Sequence, residues 1–137
     1  MISFSQIQTR VASKSHNYAS PEDYLESEKI SPIKHEYRQG EIYARARPSD
    51  AHETICINLV NLLTTHVRGR GCRIYRGNMK ARIQPADIFY YPDIIVTCDE
   101  RDRSLEYLKR YLRLIVEVLS PTTAAFARGN KFADYRT

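Results

Sequence analysis

Two acidic residues, Glu117 and Asp93, stand within apolar, strand-like stretches of the chain and are the first candidates for chemistry. Glu117 lies in the run LIVEVL at residues 114–119, which is typical of a strand covered on both faces. Asp93 interrupts the β-prone run FYYPDIIV at residues 89–96, where the proline predicts a bend that re-aims the next side chain. An unpaired carboxylate is costly to bury, so such residues are retained where they are paired, protonated or bound to a metal. The alternatives without function are a surface strand for Glu117 and a structural turn for Asp93.

The two acids together predict more than either does alone, because neighbouring strands can bring their carboxylates close to each other. Hard oxygen ligands of this kind suit Mg²⁺ or Mn²⁺. The histidines and cysteines form no cluster with zinc-ligand spacing, so we expect no zinc site. We therefore predict a divalent-metal site built from acids carried on strands.

A cation near that site is predicted on the last helix. Arg128, Lys131 and Tyr135 are spaced at i, i+3 and i+7 and therefore share one helical face. A stripe of this kind is often a solvated surface. This helix, however, directly follows the Glu117 strand, and its first turns can return over the end of that strand, which favours a role beside the acids.

The positive charge of the chain is concentrated in its middle. The chain carries 21 Lys and Arg against 16 Asp and Glu, a net charge of +5, yet residues 54–86 contain no acidic residue. A basic strip of this kind predicts contact with the phosphates of nucleic acid. Its candidate contact residues are Arg73, Arg76, Lys80 and Arg82. Ordinary solvated charge on a β-hairpin is the alternative.

Length and composition point to one globular domain. The 137 residues, 42% of them hydrophobic, suffice for a core and are too apolar for a disordered tail. No apolar stretch is long enough to cross a bilayer, so we expect no membrane partner. The three cysteines are an odd number without close spacing, which predicts no disulfide framework and a reducing, cytoplasmic location. Residues 1–17 predict a polar, flexible N-terminal arm rather than a secretory signal.

Capping residues and apolar periodicity predict the helices. Ser20-Pro21 begins a short helix that Ser31-Pro32 ends, and Ser120-Pro121 opens a last helix that runs to the end of the chain. The main amphipathic helix is predicted from Ser49 to about Arg68. Its predicted core face consists of Ile55, Leu59, Leu62, Leu63 and Val67.

Between the helices, β-prone runs predict the strands. A hairpin is predicted around the turn Arg38-Gln39-Gly40, and further strands at 72–76, 79–84, 88–97 and 112–119. The order of elements predicts an α/β (α+β) fold in which a mixed β-sheet is flanked by helices.

A series of short motifs, in this order, resembles the bacterial Uma family, which belongs to the PD-(D/E)XK nuclease superfamily. The motifs are KHEY and GEIY at residues 34–43, His52 in the long helix, YPDIIV at 91–96, IVEVLSPT at 115–122 and RGNKFADY at 128–135. The resemblance covers the chain from about Tyr18 to the end. It implies a restriction-endonuclease-like fold for residues 18–137.

The resemblance also implies the residues of the site. Asp93 and Glu117 would bind the divalent metal, Mg²⁺ or Mn²⁺. In the superfamily pattern a lysine follows the acid by two residues, but Leu119 stands there, and Lys131 matches the lysine that the Uma pattern takes from the next helix. Glu36 matches a family glutamate in the first hairpin. The implied activity is that of a metal-dependent endonuclease that hydrolyses the phosphodiester bonds of DNA.

Two departures from the family pattern keep other functions open. Ala127 stands where a family acid usually precedes the arginine, and family members continue past the Lys131 helix into further strands and another helix. Residues 18–137 are therefore expected to lack the last strands and helix of the fold. The alternatives are a non-catalytic nucleic-acid-binding module and an inactive truncated nuclease fragment. An unfinished sheet would expose an edge, which predicts pairing with a second copy in a homodimer.

Overall fold

The computed structural model describes residues 18–84, 87–121 and 127–136, so the predicted N-terminal arm at residues 1–17 lies outside the described part. Helix α1 spans Pro21–Ile30 and begins where predicted, because the Ser20 side chain accepts a hydrogen bond of 3.0 Å from the backbone N–H of Asp23. Helix α2 spans Asp50–Val67 and is capped in the same way by Ser49. A π-helical turn, Ala127–Lys131, leads into the short helix α3, Phe132–Tyr135.

The strands are short. In the described part of the chain they are β1 His35–Arg38, β2 Glu41–Ala44, β3 Arg73–Arg76, β4 Lys80–Ile83, β5 Ile88–Tyr90, β6 Ile94–Thr97, β7 Leu108–Lys109 and β8 Leu112–Val116. The predicted hairpin is confirmed, with β1 and β2 paired in register from Arg38 opposite Glu41. Gln39 and Gly40 form its turn with φ of 50° and 93°, a backbone conformation that glycine adopts without strain.

The predicted mixed α+β fold is confirmed, but the strands form two sheets instead of one. A five-stranded sheet has the order β2-β1-β5-β4-β7, with β4 and β7 parallel, and an antiparallel three-stranded sheet has the order β3-β6-β8. The strand predicted at 88–97 is broken at Tyr91-Pro92-Asp93 into β5 and β6, which belong to different sheets. Pro92 has no N–H to donate, so the ladder of one sheet ends there and the chain crosses to the other.

The core lies under α1 and along β5 and β6. Tyr24, Tyr37 and Phe89 are fully buried and pack with ring centroids 5.1–5.7 Å apart. Strand β8, in contrast, lies at the edge of its sheet within the described residues, with Arg113 and Leu114 exposed. The prediction that the Glu117 strand is covered on both faces is therefore wrong, and β8 ends at Val116, just before the acid.

Helix α2 presents a different face to the sheets from the one its aliphatic residues predict. Ile55 and Leu62 are 46% and 64% exposed, whereas Cys56 is buried and His52 is half-buried. The helix is thus rotated so that a histidine and a cysteine face inwards, in place of two of the predicted core residues. This rotation places His52 beside Asp93, at the start of β6.

Two of the three cysteines are joined, which corrects the expectation of reduced thiols. Cys72 and Cys98 form a disulfide, and Cys56 is the free, buried cysteine. The antiparallel pairing of Arg73 with Thr97 brings the two half-cystines opposite each other, a relation that their sequence spacing does not reveal. The cysteines therefore give no support for a reducing compartment. Across the described residues, none of the helices combines the length and apolar character needed to cross a bilayer.

Reducing the Cys72–Cys98 disulfide is expected to lower the free energy of unfolding by about 3.5 kcal/mol, because a bridge across a sequence separation of 26 restricts the unfolded chain. Urea denaturation with and without a non-thiol reductant measures the difference. The double variant Cys72→Ser/Cys98→Ser serves as the control, since its unfolding midpoint should not respond to the reductant. Equal midpoints for the oxidised and reduced wild-type protein would contradict this expectation.

Candidate active site

The structure brings Asp93 and Glu117 together at one end of the three-stranded sheet. The last described pair of β6 and β8 is Ile94 opposite Val116, and the two acids are the next residue on each strand. The Asp93 Oδ2 atom accepts a hydrogen bond of 2.7 Å from the backbone N–H of Val118, which ties the two chain segments together beyond the ladder. Residues opposite each other in an antiparallel pair share one face, and the charge of Asp93 raises the pKa of Glu117, so the two acids are neighbours.

Lys131 and Glu36, the other two predicted site residues, adjoin this pair. The Lys131 Nζ atom lies 3.2 Å from Glu36 Oε2 and 3.4 Å from Glu117 Oε1, and the side chain is buried. Glu36, on β1, also accepts a 2.6 Å hydrogen bond from the backbone N–H of Tyr91. One ammonium group is thus held between carboxylates from the two sheets.

The environment of Glu117 disfavours its ionised form. Burial raises the pKa of Glu117, Lys131 and a hydrogen bond from Tyr135 lower it, and the charges of Asp93 and Glu36 raise it further, with a net upward shift. The Tyr135 hydroxyl donates to Glu117 Oε1 over 2.6 Å, and burial raises the pKa of Tyr135 in turn. Lys131 and Tyr135 of the predicted stripe therefore face the acids, whereas the side chain of Arg128 lies outside the described residues.

A second network fixes the segment that carries Lys131. Asp134 Oδ2 accepts a 2.6 Å hydrogen bond from the Tyr90 hydroxyl and pairs with Arg38 Nε at 3.1 Å. Asp134 and Tyr90 are buried, so these contacts attach α3 firmly to β1 and β5. Because Lys131 directly precedes α3, the same contacts set the position of its ammonium group.

Asp93 has two side-chain partners: Arg45, which sequence reasoning missed, and His52, which the family resemblance includes without giving it a role. The Arg45 Nη2 atom lies 2.8 Å from Asp93 Oδ1, and the His52 Nε2 atom lies 3.1 Å from Asp93 Oδ2. Arg45 also donates a 2.8 Å hydrogen bond to the carbonyl of Gly77, where an added Cβ would lie only 2.7 Å from Arg45 Nη1. The glycine thus leaves room for the guanidinium. No periodicity or spacing marks Arg45, which follows β2 in an irregular segment.

His52 also contacts Cys56, one turn further along α2. The Cys56 Sγ atom lies 3.8 Å from His52 Nδ1, and ligand atoms of His52, Cys56 and Asp93 all lie within 4.8 Å of one another. The expectation that the histidines and cysteines form no such cluster is corrected here, because Asp93, from the segment before β6, completes one with His52 and Cys56. Burial raises the pKa of the Cys56 thiol, and the charges of Asp93 and Glu53 raise it further.

The four candidate nucleic-acid contacts do not form one exposed strip. They are divided between β3 of one sheet and β4 of the other. Arg73 is exposed and Arg76 pairs with Glu53 on α2, while Lys80 is buried and Arg82 lies partly buried, its guanidinium 5.1 Å from the Phe89 ring centroid. Contact with phosphates by these residues stays a prediction, and Arg73 is the member with free access to solvent.

Comparison with known proteins identifies the family to which this chain belongs. The profile of the Uma2 family, described as "Putative restriction endonuclease", matches residues 21–137. The uncharacterized protein slr1290 of Synechocystis sp. (strain ATCC 27184 / PCC 6803 / Kazusa) is 42% identical over 116 residues, covering 85% of this chain and 61% of that protein. The uncharacterized protein sll1609 of the same organism is 34% identical over 118 residues, covering 84% and 66% respectively. This chain thus spans somewhat under two thirds of the length of these curated relatives.

A solved structure shares the fold. The crystal structure of "a putative nuclease belonging to DUF820" from Anabaena variabilis ATCC 29413 superposes with a TM-score of 0.65 at 20% sequence identity, covering 86% of this chain and 68% of that one. The family profile covers most of the chain, including all four predicted catalytic residues. The chain belongs to the Uma2 family of restriction-endonuclease-like proteins.

Proposed function

We propose that this protein is a metal-dependent endonuclease that hydrolyses phosphodiester bonds of DNA in the cytoplasm. The observation that carries the proposal is the juxtaposition of Asp93 and Glu117 at adjoining strand ends, with Lys131 Nζ 3.4 Å from Glu117 Oε1. Two carboxylates and a lysine can catalyse hydrolysis of a phosphodiester, because the carboxylates can hold a cation and the lysine can stabilise developing negative charge.

The residues present fit a hard divalent cation. Asp93 and Glu117 supply carboxylate oxygens, the ligands that Mg²⁺ and Mn²⁺ prefer. The charge of Asp93 raises the pKa of Glu117, so the pair carries a repulsion that a bound cation would relieve. Asp93 and Glu117 would hold the ion, which supplies a Lewis acid and lowers the pKa of a bound water.

Side chains of the protein would stabilise the developing charge and attract the substrate. Lys131, held between Glu36 and Glu117, can donate a hydrogen bond to the attacking water or to a phosphoryl oxygen. Glu36 is a positioning residue, since it is itself fixed by the backbone N–H of Tyr91 and contacts the site through Lys131. The net charge of +5 and the exposed Arg73 support an approach of the polyanionic substrate.

Incubation with supercoiled plasmid tests the proposal. Nicked and linear products are expected with Mg²⁺ or Mn²⁺ and none with a chelator. Asp93→Asn should reduce cleavage by about a hundredfold or more, and the matched control Asp23→Asn, an exposed residue of α1, should leave it unchanged. Cleavage by Asp93→Asn at the wild-type rate would overturn the site assignment. Salt-dependent DNA binding without cleavage in either metal would favour the non-catalytic nucleic-acid-binding alternative.

The contact of Arg45 with Asp93 predicts that this arginine weakens metal binding. Its guanidinium pairs with Asp93 Oδ1, so a cation must displace it or bind despite its charge. Arg45→Met is expected to strengthen Mn²⁺ binding about tenfold, the effect of removing one nearby positive charge at intermediate dielectric. Isothermal titration calorimetry measures the affinity, with the exposed Arg47→Met as control. Weaker binding by Arg45→Met would indicate instead that the arginine organises the ligands.

A further inference from the structure

A cluster of donors unlike those of a magnesium site lies where Asp93 meets α2. His52 and Cys56 occupy positions i and i+4 of α2, so both side chains leave the same face of the helix, and that face is turned towards the start of β6. Asp93 lies there, with its Oδ2 atom 3.1 Å from His52 Nε2. An imidazole, a thiol and a carboxylate therefore meet at one place, two of them from α2 and the third from the residue before β6.

We propose that His52, Cys56 and Asp93 form a binding site for a borderline-soft divalent cation, such as Zn²⁺ or Co²⁺. Ligand atoms of the three residues lie within 4.8 Å of one another. Bond lengths of 2.0–2.3 Å in a tetrahedral site place ligand atoms about 3.5 Å apart. The imidazole contacts Asp93 through Nε2 and Cys56 through Nδ1, and an ion takes one ring nitrogen, so binding requires the ring to turn and the three side chains to close around the ion. Three protein ligands leave a fourth position for water.

The sulfur, nitrogen and oxygen donors of the cluster determine which divalent cations it would prefer. A thiolate is a soft ligand that Mg²⁺ does not take, whereas Zn²⁺ and Co²⁺ accept the combination of sulfur, imidazole nitrogen and carboxylate. Burial disfavours the free thiolate of Cys56, and a cation removes that cost when the sulfur–metal bond forms and the thiol proton leaves to solvent. The residues are also shielded, because Cys56 and Asp93 are buried and the His52 side chain is 14% exposed.

A thiol, an imidazole and a carboxylate in this order could also form a nucleophilic catalytic triad. It requires an accessible thiol with a lowered pKa. Cys56 is 2% exposed and its pKa is raised, which is the opposite combination. Ligation of a metal is therefore the role that the geometry supports.

Under the proposed function, the Asp93 carboxylate would be a ligand in both metal sites. An ion bound by His52 and Cys56 draws Asp93 away from its partnership with Glu117, so Zn²⁺ would compete with Mg²⁺ for the nuclease. The site itself is independent of that function, because its occupancy can be read spectroscopically in a protein that cleaves nothing.

Titration of the intact, oxidised chain with Co²⁺ tests the site. Cys56 is then the free thiol, so a thiolate-to-cobalt charge-transfer band in the near ultraviolet reports its coordination. We expect the band to saturate with a single ion per chain, to disappear on addition of Zn²⁺ and to persist in excess Mg²⁺. Absence of the band, or its loss in Mg²⁺ as readily as in Zn²⁺, would overturn the proposal.

Variants separate the cluster from the other cysteines and from adventitious histidines. His52→Gln should weaken Co²⁺ binding at least about tenfold, because even the loss of a residue that only supports a ligand costs that much, while His66→Gln, at the exposed end of the same helix, should not change it. Cys72→Ser/Cys98→Ser should retain the band and Cys56→Ser should lose it. Thermal unfolding of each variant verifies that it is folded. An affinity for Co²⁺ unchanged by His52→Gln would contradict the assignment.

Discussion

Glu117→Gln is expected to reduce metal-dependent plasmid cleavage by about a hundredfold or more and to make the metal-free protein more stable at neutral pH. Cleavage falls because the substitution removes one of the two carboxylates at the paired ends of β6 and β8. Stability rises because burial, with the charges of Asp93 and Glu36, raises the pKa of Glu117, so the ionised group is less favourable in the folded chain than in the unfolded one. The amide can still accept the hydrogen bond from Tyr135.

The pH dependence of this stabilisation follows from the direction of the pKa shift. A carboxyl group with a raised pKa binds its proton more tightly when folded, so its ionisation costs stability at all pH values above the unfolded pKa, near 4. As the pH falls from the raised folded pKa towards the unfolded pKa, the folded residue is protonated and the cost shrinks, and below the unfolded pKa the cost is gone. The difference in melting temperature between Glu117→Gln and wild type should therefore be largest at neutral pH and close in acid.

The exposed Glu106→Gln is a suitable control, because it removes the same charge from a residue that does not act on Glu117, and it should change neither cleavage nor the pH profile. Melting temperatures are measured in the presence of a chelator, so that metal binding does not contribute. A variant that is less stable than wild type at neutral pH would show that the contacts of Glu117 with Lys131 and Tyr135 outweigh its burial.

Local signals in the sequence predicted the elements that carry the site but not the way they assemble. Ser20 and Ser49 cap their helices through contacts three residues away, and such contacts are visible in a linear chain. Gly77-Asn78 resembles a hairpin turn, yet β3 pairs with β6 and β4 with β5, because the break at Pro92 offers each strand a partner in its own sheet. Propensity alone does not choose between these pairings.

The residues of the candidate site also fall into two groups: those that the sequence predicts and those that only the folded structure brings together. Asp93 and Glu117 were conspicuous because an acid in an apolar run is costly, and the resemblance to a family added Lys131 and Glu36. Arg45 carried no such signal, since an arginine in an irregular segment is unremarkable until its partner is known. The disulfide and the His52–Cys56–Asp93 cluster likewise depend on contacts between residues distant in sequence, which only the pairing of strands and the rotation of α2 create.

Lys131→Met is expected to reduce cleavage by about a hundredfold to a thousandfold while leaving Mn²⁺ affinity within a few-fold of wild type. Metal affinity should change little because Lys131 is not one of the oxygen ligands. Cleavage should fall because the Lys131 Nζ atom, 3.2 Å from Glu36 and 3.4 Å from Glu117, is held in the site where negative charge develops. The variant should also melt at a lower temperature, because two largely buried carboxylates lose their shared cation. Cleavage assays and calorimetric titration with Mn²⁺ on the same preparations measure the two effects separately.

Two further variants distinguish a catalytic role of this lysine from a structural one. The exposed Lys29→Met on α1 should change neither quantity. Glu36→Gln retains an acceptor for the Tyr91 N–H but removes one charge that holds Lys131, so it should reduce cleavage by about tenfold, less than Lys131→Met does. If Lys131→Met instead abolishes Mn²⁺ binding, the lysine organises the carboxylates and not the reaction. If it cleaves as fast as wild type, the charge needed during hydrolysis must come from another cation near Asp93, and Arg45 is then the residue to replace next.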